Sequence, residues 1–375
     1  MIKILIAVDS FKGSLSSKEA AKRIADGLIL ANPEIEIIKV PLADGGEGTV
    51  EAVIDAVGGE YITLEVCNPL FRKTTATYGL IDQGKTAILE MAAASGITLL
   101  NSEEKNPMLT TTFGTGELIV DAVKRGVANI IVGIGGSATN DGGTGMASAL
   151  GVKFYDDKKN VLRGTGGSLK NLATIDLSGR IKGLENVHVT VICDVTNPLC
   201  GMNGASYVYG PQKGATEEMV KELDSNMIHL SKIVERDLGK AIKDTPGAGA
   251  AGGLGFGLMA FTDAKLTSGI DFMIEFLKLE EKIKHVDVVI TGEGKMDNQT
   301  QYNKAPWGIM QIARKYNKKI IGVAGMIDEH AKASLIEKYD YLYSIQELAK
   351  STEDSILNAG RYLSELASIM YSDIT

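Results

Sequence analysis

Cysteine is scarce in this chain, and the three that occur, Cys67, Cys193 and Cys200, are odd in number and match no metal-ligand spacing. A disulfide framework is therefore not expected, and a reducing, cytoplasmic setting fits best. Histidine is equally sparse. His188, His229, His285 and His330 stand singly, as ordinary surface or helix-end residues do. Aromatic residues make up 6%, too few for stacked recognition of single-stranded nucleic acid. Positive charge is not in excess either: the net charge of −8 argues against holding a polyanionic surface through the global field. No apolar run approaches the ~20 residues of a membrane span. Met1–Phe11 lacks both the apolar length and the cleavage site of a signal peptide. Neither nucleic acid nor a membrane is an expected partner. A small anionic ligand would need a locally basic pocket.

Glycine is what the chain has in abundance, 43 among 375 residues, and it is concentrated in loops that follow strand-like runs. The central case is the apolar run Ile130–Ile134, which breaks into Gly135-Gly136-Ser137. A second turn, Asn140-Asp141-Gly142-Gly143, follows, and then the helix-compatible Met146–Leu150. Without side chains, successive backbone N–H groups can point into one concavity, and Ser137, Thr139 and Asn140 add short donors beside them. A strand ending in such a loop ahead of a helix is a plausible anion cradle; a tight connection that only needs glycine dihedrals is the competing reading.

The length points to two domains. At the N-terminus, Ile4–Val8 is a buried-type strand ending in Asp9–Gly13, and Ser16 with Glu19 makes a capping box for a helix carrying Ala21, Ile24, Ala25 and Leu28. Glu36–Val40 is a second strand, ending in Asp44-Gly45-Gly46-Glu47-Gly48, and the helix Thr49–Val57 closes this second unit. From Tyr61 the strands crowd together: Ile62–Val66, Thr75–Ile81, Thr86–Glu90. Strand–helix alternation resumes with the strand Val286–Ile290, the helix Pro306–Tyr316 and the strand Ile320–Ala324. The helix Glu329–Lys338, the strand Tyr341–Ile345 and a final helix through Leu363 and Met370 complete it. The two ends thus supply five strands, the inventory of a flavodoxin-like doubly wound parallel sheet in an α/β fold. Residues 1–66 and 286–375 are expected to share that sheet, with residues 67–285 inserted as a mixed α/β domain and an active-site cleft between the two. Ligands of such sheets sit beyond the carboxyl ends of the strands, where Lys12, Asp44, Gly45, Glu293 and Lys295 fall.

Two motif matches fail on context. Gly79–Thr86 fits the phosphate-loop pattern, but Thr86–Glu90 reads as a strand where that motif needs a helix, so Asp82–Lys85 is read as a hairpin turn. Gly247-Ala-Gly249-Ala-Ala-Gly252 fits the dinucleotide fingerprint, but Lys243-Asp-Thr-Pro246 cannot be the strand it requires. Its glycines still signal close backbone approach to a ligand or a neighbouring element. Carboxylates follow strand-like runs at Asp44, Asp194, Glu293 and Asp297. Mg²⁺ takes such oxygen ligands when it is held against nucleotide phosphates, although each carboxylate alone also suits a turn or helix cap.

Taken together the loops resemble the bacterial glycerate kinase family, the type I two-domain glycerate kinases. The matching stretches include Asp9-Ser-Phe-Lys-Gly-Ser14, Ala43–Thr49, Met91–Gly96, Thr110–Glu117, Gly133–Gly143 and Asp194–Leu199. Gly210-Pro-Gln-Lys-Gly-Ala215, Pro246–Gly253, Ser268–Asp271 and Thr291–Gly294 with Asp297, Gln299 and Thr300 complete the set, in family order from end to end. The resemblance implies ATP-dependent phosphorylation of D-glycerate with Mg²⁺; the 2-hydroxyl is favoured as acceptor and the 3-hydroxyl stays open. On that reading Asp194 and Asp297 are the candidates for Mg²⁺ contact or for orienting the hydroxyl, and Lys12 and Lys304 for the anionic groups. Phosphate or substrate carboxylate falls to Asp44, Gly45, Gly46, Gly135, Gly136, Ser137, Asn140, Asp141, Gly142, Gly143 and Glu293. Lys295 stands where arginine is usual and Asn303 where glycine is usual, which bears on fine geometry, because lysine keeps charge but loses bidentate pairing. Two alternatives are a kinase for another small hydroxy or sugar acid and a non-catalytic two-domain anion-binding protein. Monomer and homodimer both stay open.

Overall fold

The apolar runs become strands, and their pairing sorts the chain into two sheets. The computed structural model describes residues 2–42, 45–297 and 304–374. Its strands are β1 (Lys3–Val8), β2 (Glu36–Lys39), β3 (Glu60–Cys67), β4 (Lys73–Ile81), β5 (Thr86–Glu90), β6 (Asn129–Gly133), β7 (Lys153–Tyr155), β8 (Thr174–Asp176), β9 (His188–Ile192), β10 (Lys265–Thr267), β11 (Val288–Met296), β12 (Lys319–Ile327) and β13 (Tyr341–Ser344). One sheet has the order β13-β12-β11-β1-β2 and is parallel throughout. Renumbered within the unit this is the 2-1-3-4-5 order of a flavodoxin-like doubly wound sheet. Ile4, Ile6 and Val8 share one face with Val288, Ile290, Ile321 and Val323. Against them lie Ala20, Ile24 and Leu28 of the helix Ser17–Ala31 and Leu363, Leu366 and Met370 of the helix Ala359–Ile374. Burying each such side chain contributes about 1.5–3 kcal/mol. Alternate positions, Leu5 and Val289 among them, point to the other face, where the helix Ala305–Lys315 packs. The Ser16–Glu19 capping box is formed, with Ser16 Oγ accepting from Glu19 N.

The second sheet has the order β10-β9-β6-β5-β4-β3, parallel from β10 to β5 and antiparallel from β5 to β3. A small antiparallel pair, β7 with β8, stands beside it. By contacts the chain divides into one unit of Met1–Asp44 with Ser268–Thr375 and another of Gly45–Thr267, so a mixed α/β unit is inserted into the doubly wound one. The boundaries expected at 66/67 and 285/286 are corrected accordingly. β3 hydrogen-bonds β4 rather than the terminal strands, and the helix Thr49–Val57 does not close the second β–α unit. Its Ile54 lies over Gly79 of β4, and its Val50 N–H donates to Glu90 at 2.8 Å. Among the described residues no helix is long and apolar enough to cross a membrane.

Candidate active site

In the inserted unit the carboxyl ends of β6 and β9 bring two predicted glycine loops together. Gly135 N–H donates to the carbonyl of Gly45 at 3.3 Å. A Cβ on Gly133 would lie 2.4 Å from that same carbonyl oxygen, and one on Gly135 would lie 2.9 Å from Gly46 Cα. Only glycine permits backbones this close. Asp194 follows β9, next to β6 in the sheet, and is exposed.

Burial divides the central loop. Gly136 is exposed and Gly135 partly so, whereas Ala138 through Ala147 are buried. Asp141 belongs to this buried base. Its Oδ2 accepts from Thr112 N at 2.7 Å, Thr112 Oγ1 at 2.8 Å and Gly145 N at 3.2 Å, and its Oδ1 accepts from Gly143 N at 3.1 Å. Burial pushes its carboxyl up, opposed by these hydrogen bonds. Asn140 is equally buried and donates to Ser206 Oγ at 2.9 Å. Asn140 and Asp141 therefore tie the loop to its surroundings, while Gly135 and Gly136 form its outward mouth, with the buried Ser137 adjoining them. Among the described residues Thr139 Oγ1 and Asn140 Oδ1 are buried without a hydrogen-bond partner, an unusual polar surplus for an interior.

Beneath this loop lies a cation that sequence reasoning left without a role. Lys213, only 2% exposed, donates from Nζ to Ser137 Oγ at 2.6 Å and to the Thr139 carbonyl at 2.7 Å. Burial pushes its ammonium down to about 7, with Asp141 pulling it back up. Glu90 was missed as well. Its part-buried carboxylate accepts from Val50 N, so it caps the helix after the Gly45–Gly48 loop, and desolvation pushes its carboxyl up. The local sequence carried no signal for either residue beyond the glycine-flanked Gly210–Ala215 stretch around Lys213.

In the doubly wound unit the expected loop at Gly292–Met296 is instead strand, because β11 continues alongside β12 as far as Met296. The Asp9–Gly13 segment crosses that strand closely: a Cβ on Gly294 would lie 3.0 Å from Lys12 N. Lys12 is exposed. Lys304, at the N-cap of Ala305–Lys315, pairs with Glu293 at 3.1 Å. Asp297 follows β11 directly, with its carboxylate 3.8 Å from Lys295 Nζ. Asp44, Gln299 and Thr300 lie outside the described residues. A cavity of about 540 Å³ opens at the carboxyl ends of β12 and β13, lined by Asp328, His330, Lys332, Ser344 and Gln346. Another, of about 400 Å³, opens at the amino ends of β9 and β10, away from the glycine loops. Among the described residues, no three or more His, Cys, Asp or Glu converge as a metal cage.

The description that matches the chain is the glycerate kinase family, over residues 4–375. The chain belongs to the glycerate kinase family. It is 45% identical to a protein named glycerate 2-kinase from Escherichia coli (strain K12), covering 98% of each chain. It is also 45% identical to a glycerate kinase from Bacillus subtilis (strain 168), covering 98% of this chain and 96% of that one. Its fold is similar to a crystal structure described as a presumptive glycerate kinase 2 from Salmonella typhimurium LT2. The TM-score is 0.88 and the identity 44%, with 100% of this chain and 98% of that chain covered.

Membership of the glycerate kinase family implies ATP as phosphate donor, which makes the fate of the two discarded nucleotide motifs informative. Asp82 and Gln83 have φ of 52° and 55°, and Gly84 N–H closes on the Ile81 carbonyl, so Gly79–Thr86 is the hairpin between β4 and β5. Lys85 is exposed on that turn. Lys85→Ala should leave the KM for ATP nearly unchanged in initial-rate assays; a large rise would return the motif to the nucleotide site. The Gly247–Gly257 run serves close approach to a neighbouring element. Gly252 accepts from Gly142 N–H at 3.1 Å, and its own Cβ position is 1.9 Å from the Thr139 carbonyl. The second glycine motif thus props the buried base of the first.

Proposed function

We propose that this chain transfers the γ-phosphoryl group of ATP to a hydroxyl of D-glycerate, with the 2-hydroxyl favoured. What supports the reading most is that the glycine loops of the full-length family likeness meet backbone to backbone at the ends of β6 and β9, beside Asp194. Because the transferred group passes through a loose transition state, the protein's work is positioning and charge screening. With the Gly135 N–H taken up by Gly45, the neighbouring Gly136 and Ser137 offer N–H and hydroxyl donors to phosphate or carboxylate oxygens. Lys12 and Lys304 neutralise anionic groups, Glu293 holding Lys304 in place at 3.1 Å. Asp297 accepts the proton of the attacking hydroxyl as its oxygen bonds to the γ-phosphorus and the bridging oxygen leaves with ADP.

Mg²⁺ takes hard oxygen donors and commonly uses one or two carboxylates together with nucleotide phosphates. Either the exposed Asp194 of the inserted unit or the partly exposed Asp297 of the doubly wound unit fits that donor chemistry and would hold it. When bound it supplies neutralisation of the phosphate charge. A cytoplasmic setting belongs to the same reading, supported by three free cysteines.

A coupled assay of ADP release against glycerate and a panel of small hydroxy and sugar acids tests the substrate, and phosphorus NMR of the product tests the position. Turnover with glycerate and a 2-phosphate signal are expected. Preference for another acid, or binding without turnover, would overturn the assignment.

A further inference from the structure

Lysine is rarely buried, and packing alone would be served better by an apolar side chain of the same length. Lys213 is nonetheless held inside the inserted unit, its ammonium against Ser137 Oγ and the Thr139 carbonyl. An ammonium carries donors and no acceptor, so Ser137 Oγ must accept this bond. The serine's own O–H is then left to donate elsewhere, and among the described residues it has no acceptor. Ser137 is 8% exposed and adjoins the exposed Gly136 at the loop mouth. A hydroxyl that accepts from a cation is polarised into a stronger donor. The same cation places positive charge directly under the mouth of a loop in a chain of net charge −8. Asp141 does not cancel it by contact, because that carboxylate is taken up by Thr112, Gly143 and Gly145.

We infer that Lys213 is a positioning residue of the reaction: it orients and polarises the Ser137 hydroxyl so that the Gly135–Ser137 segment binds an oxyanion of the substrates. This rests on the glycerate kinase reading above. The shared chemistry is a carboxylate or phosphate oxygen, supplied by glycerate or by ATP.

The test uses the full chain with Lys213→Met, an unbranched apolar side chain one heavy atom shorter that removes the charge. Burial of the charge supports the choice. A folded-state value near 7, against an ordinary 10.5, means the unfolded chain binds a proton that the native one sheds between those pH values. At and below neutral pH the buried charge therefore costs stability, and methionine removes that cost. The melting temperature should hold or rise. The KM for one substrate should rise roughly tenfold or more, the size of one charge-assisted hydrogen bond, with kcat changed far less. A rise for glycerate assigns the mouth to the carboxylate; a rise for ATP assigns it to phosphate. Ser137→Ala keeps Lys213 on Thr139 and should reproduce the same rise, with the double variant no worse than either single one. Both KM values unchanged in Ser137→Ala, or a Lys213→Met enzyme that loses only kcat and melting temperature, would overturn the inference. Should Lys213→Met fail to fold, Ser137→Ala decides alone. Absence of wild-type turnover with glycerate would instead defeat the functional reading.

Discussion

Asp297→Asn should lower kcat by roughly two or more orders of magnitude, the size expected for a positioned acid–base group. The residue leaves β11 directly after Met296, at the carboxyl end of a doubly wound sheet, the edge where such sheets bind ligands. Its side chain is 24% exposed, so it can meet a substrate while remaining partly shielded from water. A capping duty does not compete for it, since the helix Ala305–Lys315 takes Lys304 at its N-cap position. The ion pair of Asp297 with Lys295 adds little to stability. The Lys295 ammonium is 3.8 Å away and half exposed, and such surface pairs contribute about 0–1 kcal/mol. The asparagine variant should therefore melt within a few degrees of wild type while losing turnover. Steady-state rates and a melting curve on the same preparation check both halves. Near-wild-type turnover would remove Asp297 from the mechanism and pass the proton-accepting role to Asp194 or Asp44.

Gly252→Ala should cause the largest loss of stability among single-methyl additions to the loops. Gly252 has φ of +67°, where an L side chain costs about 1–2 kcal/mol. Its Cβ would also lie 1.9 Å from the Thr139 carbonyl oxygen and 2.7 Å from Asn140 Cα. Backbone atoms cannot rotate away as a flexible side chain can, so overpacking adds about 1–3 kcal/mol. The sum, roughly 2–5 kcal/mol, corresponds to a midpoint drop of roughly 5–15 °C for a unit of this size. Gly84→Ala is the control. Its φ is +81°, but nothing lies within 4 Å of the added carbon, so only the dihedral cost of about 1–2 kcal/mol applies. Scanning calorimetry that found equal shifts for the two variants would show that the Gly252 contact relaxes freely. Because Gly252 supports the buried Thr139–Gly143 base, the folded fraction of the Ala variant should also show weakened substrate binding.

Much of the local structure was legible from the residues. The strand Thr86–Glu90 falls where its apolar run and flanking turn place it, and the Ser16–Glu19 box starts its helix, because both depend on neighbours a few residues apart. The glycine loops were legible for the same reason: positive φ and missing side chains are properties of the glycines themselves. Two reassignments show where that reach ends. The helix Thr49–Val57 has the pattern of any amphipathic helix, and nothing in it states that it packs on β4 and β5 rather than beside β2. The run Gly292–Met296 reads as a loop by composition, but pairing with β12 holds it as strand.

The sequence by itself determined the kinds of element, the carboxylates and lysines available, and the family to which they belong. Only the tertiary structure decided which loops touch. It set Gly45 on Gly133 and Gly135, Gly252 on Thr139, and Lys304 on Glu293. It also buried Lys213 under Ser137, across more than seventy positions of chain. The physical reason is common to all four. Burial and hydrogen-bond partners are set by contacts between residues far apart in the chain, and a charged side chain has the same composition whether water or a glycine loop surrounds it.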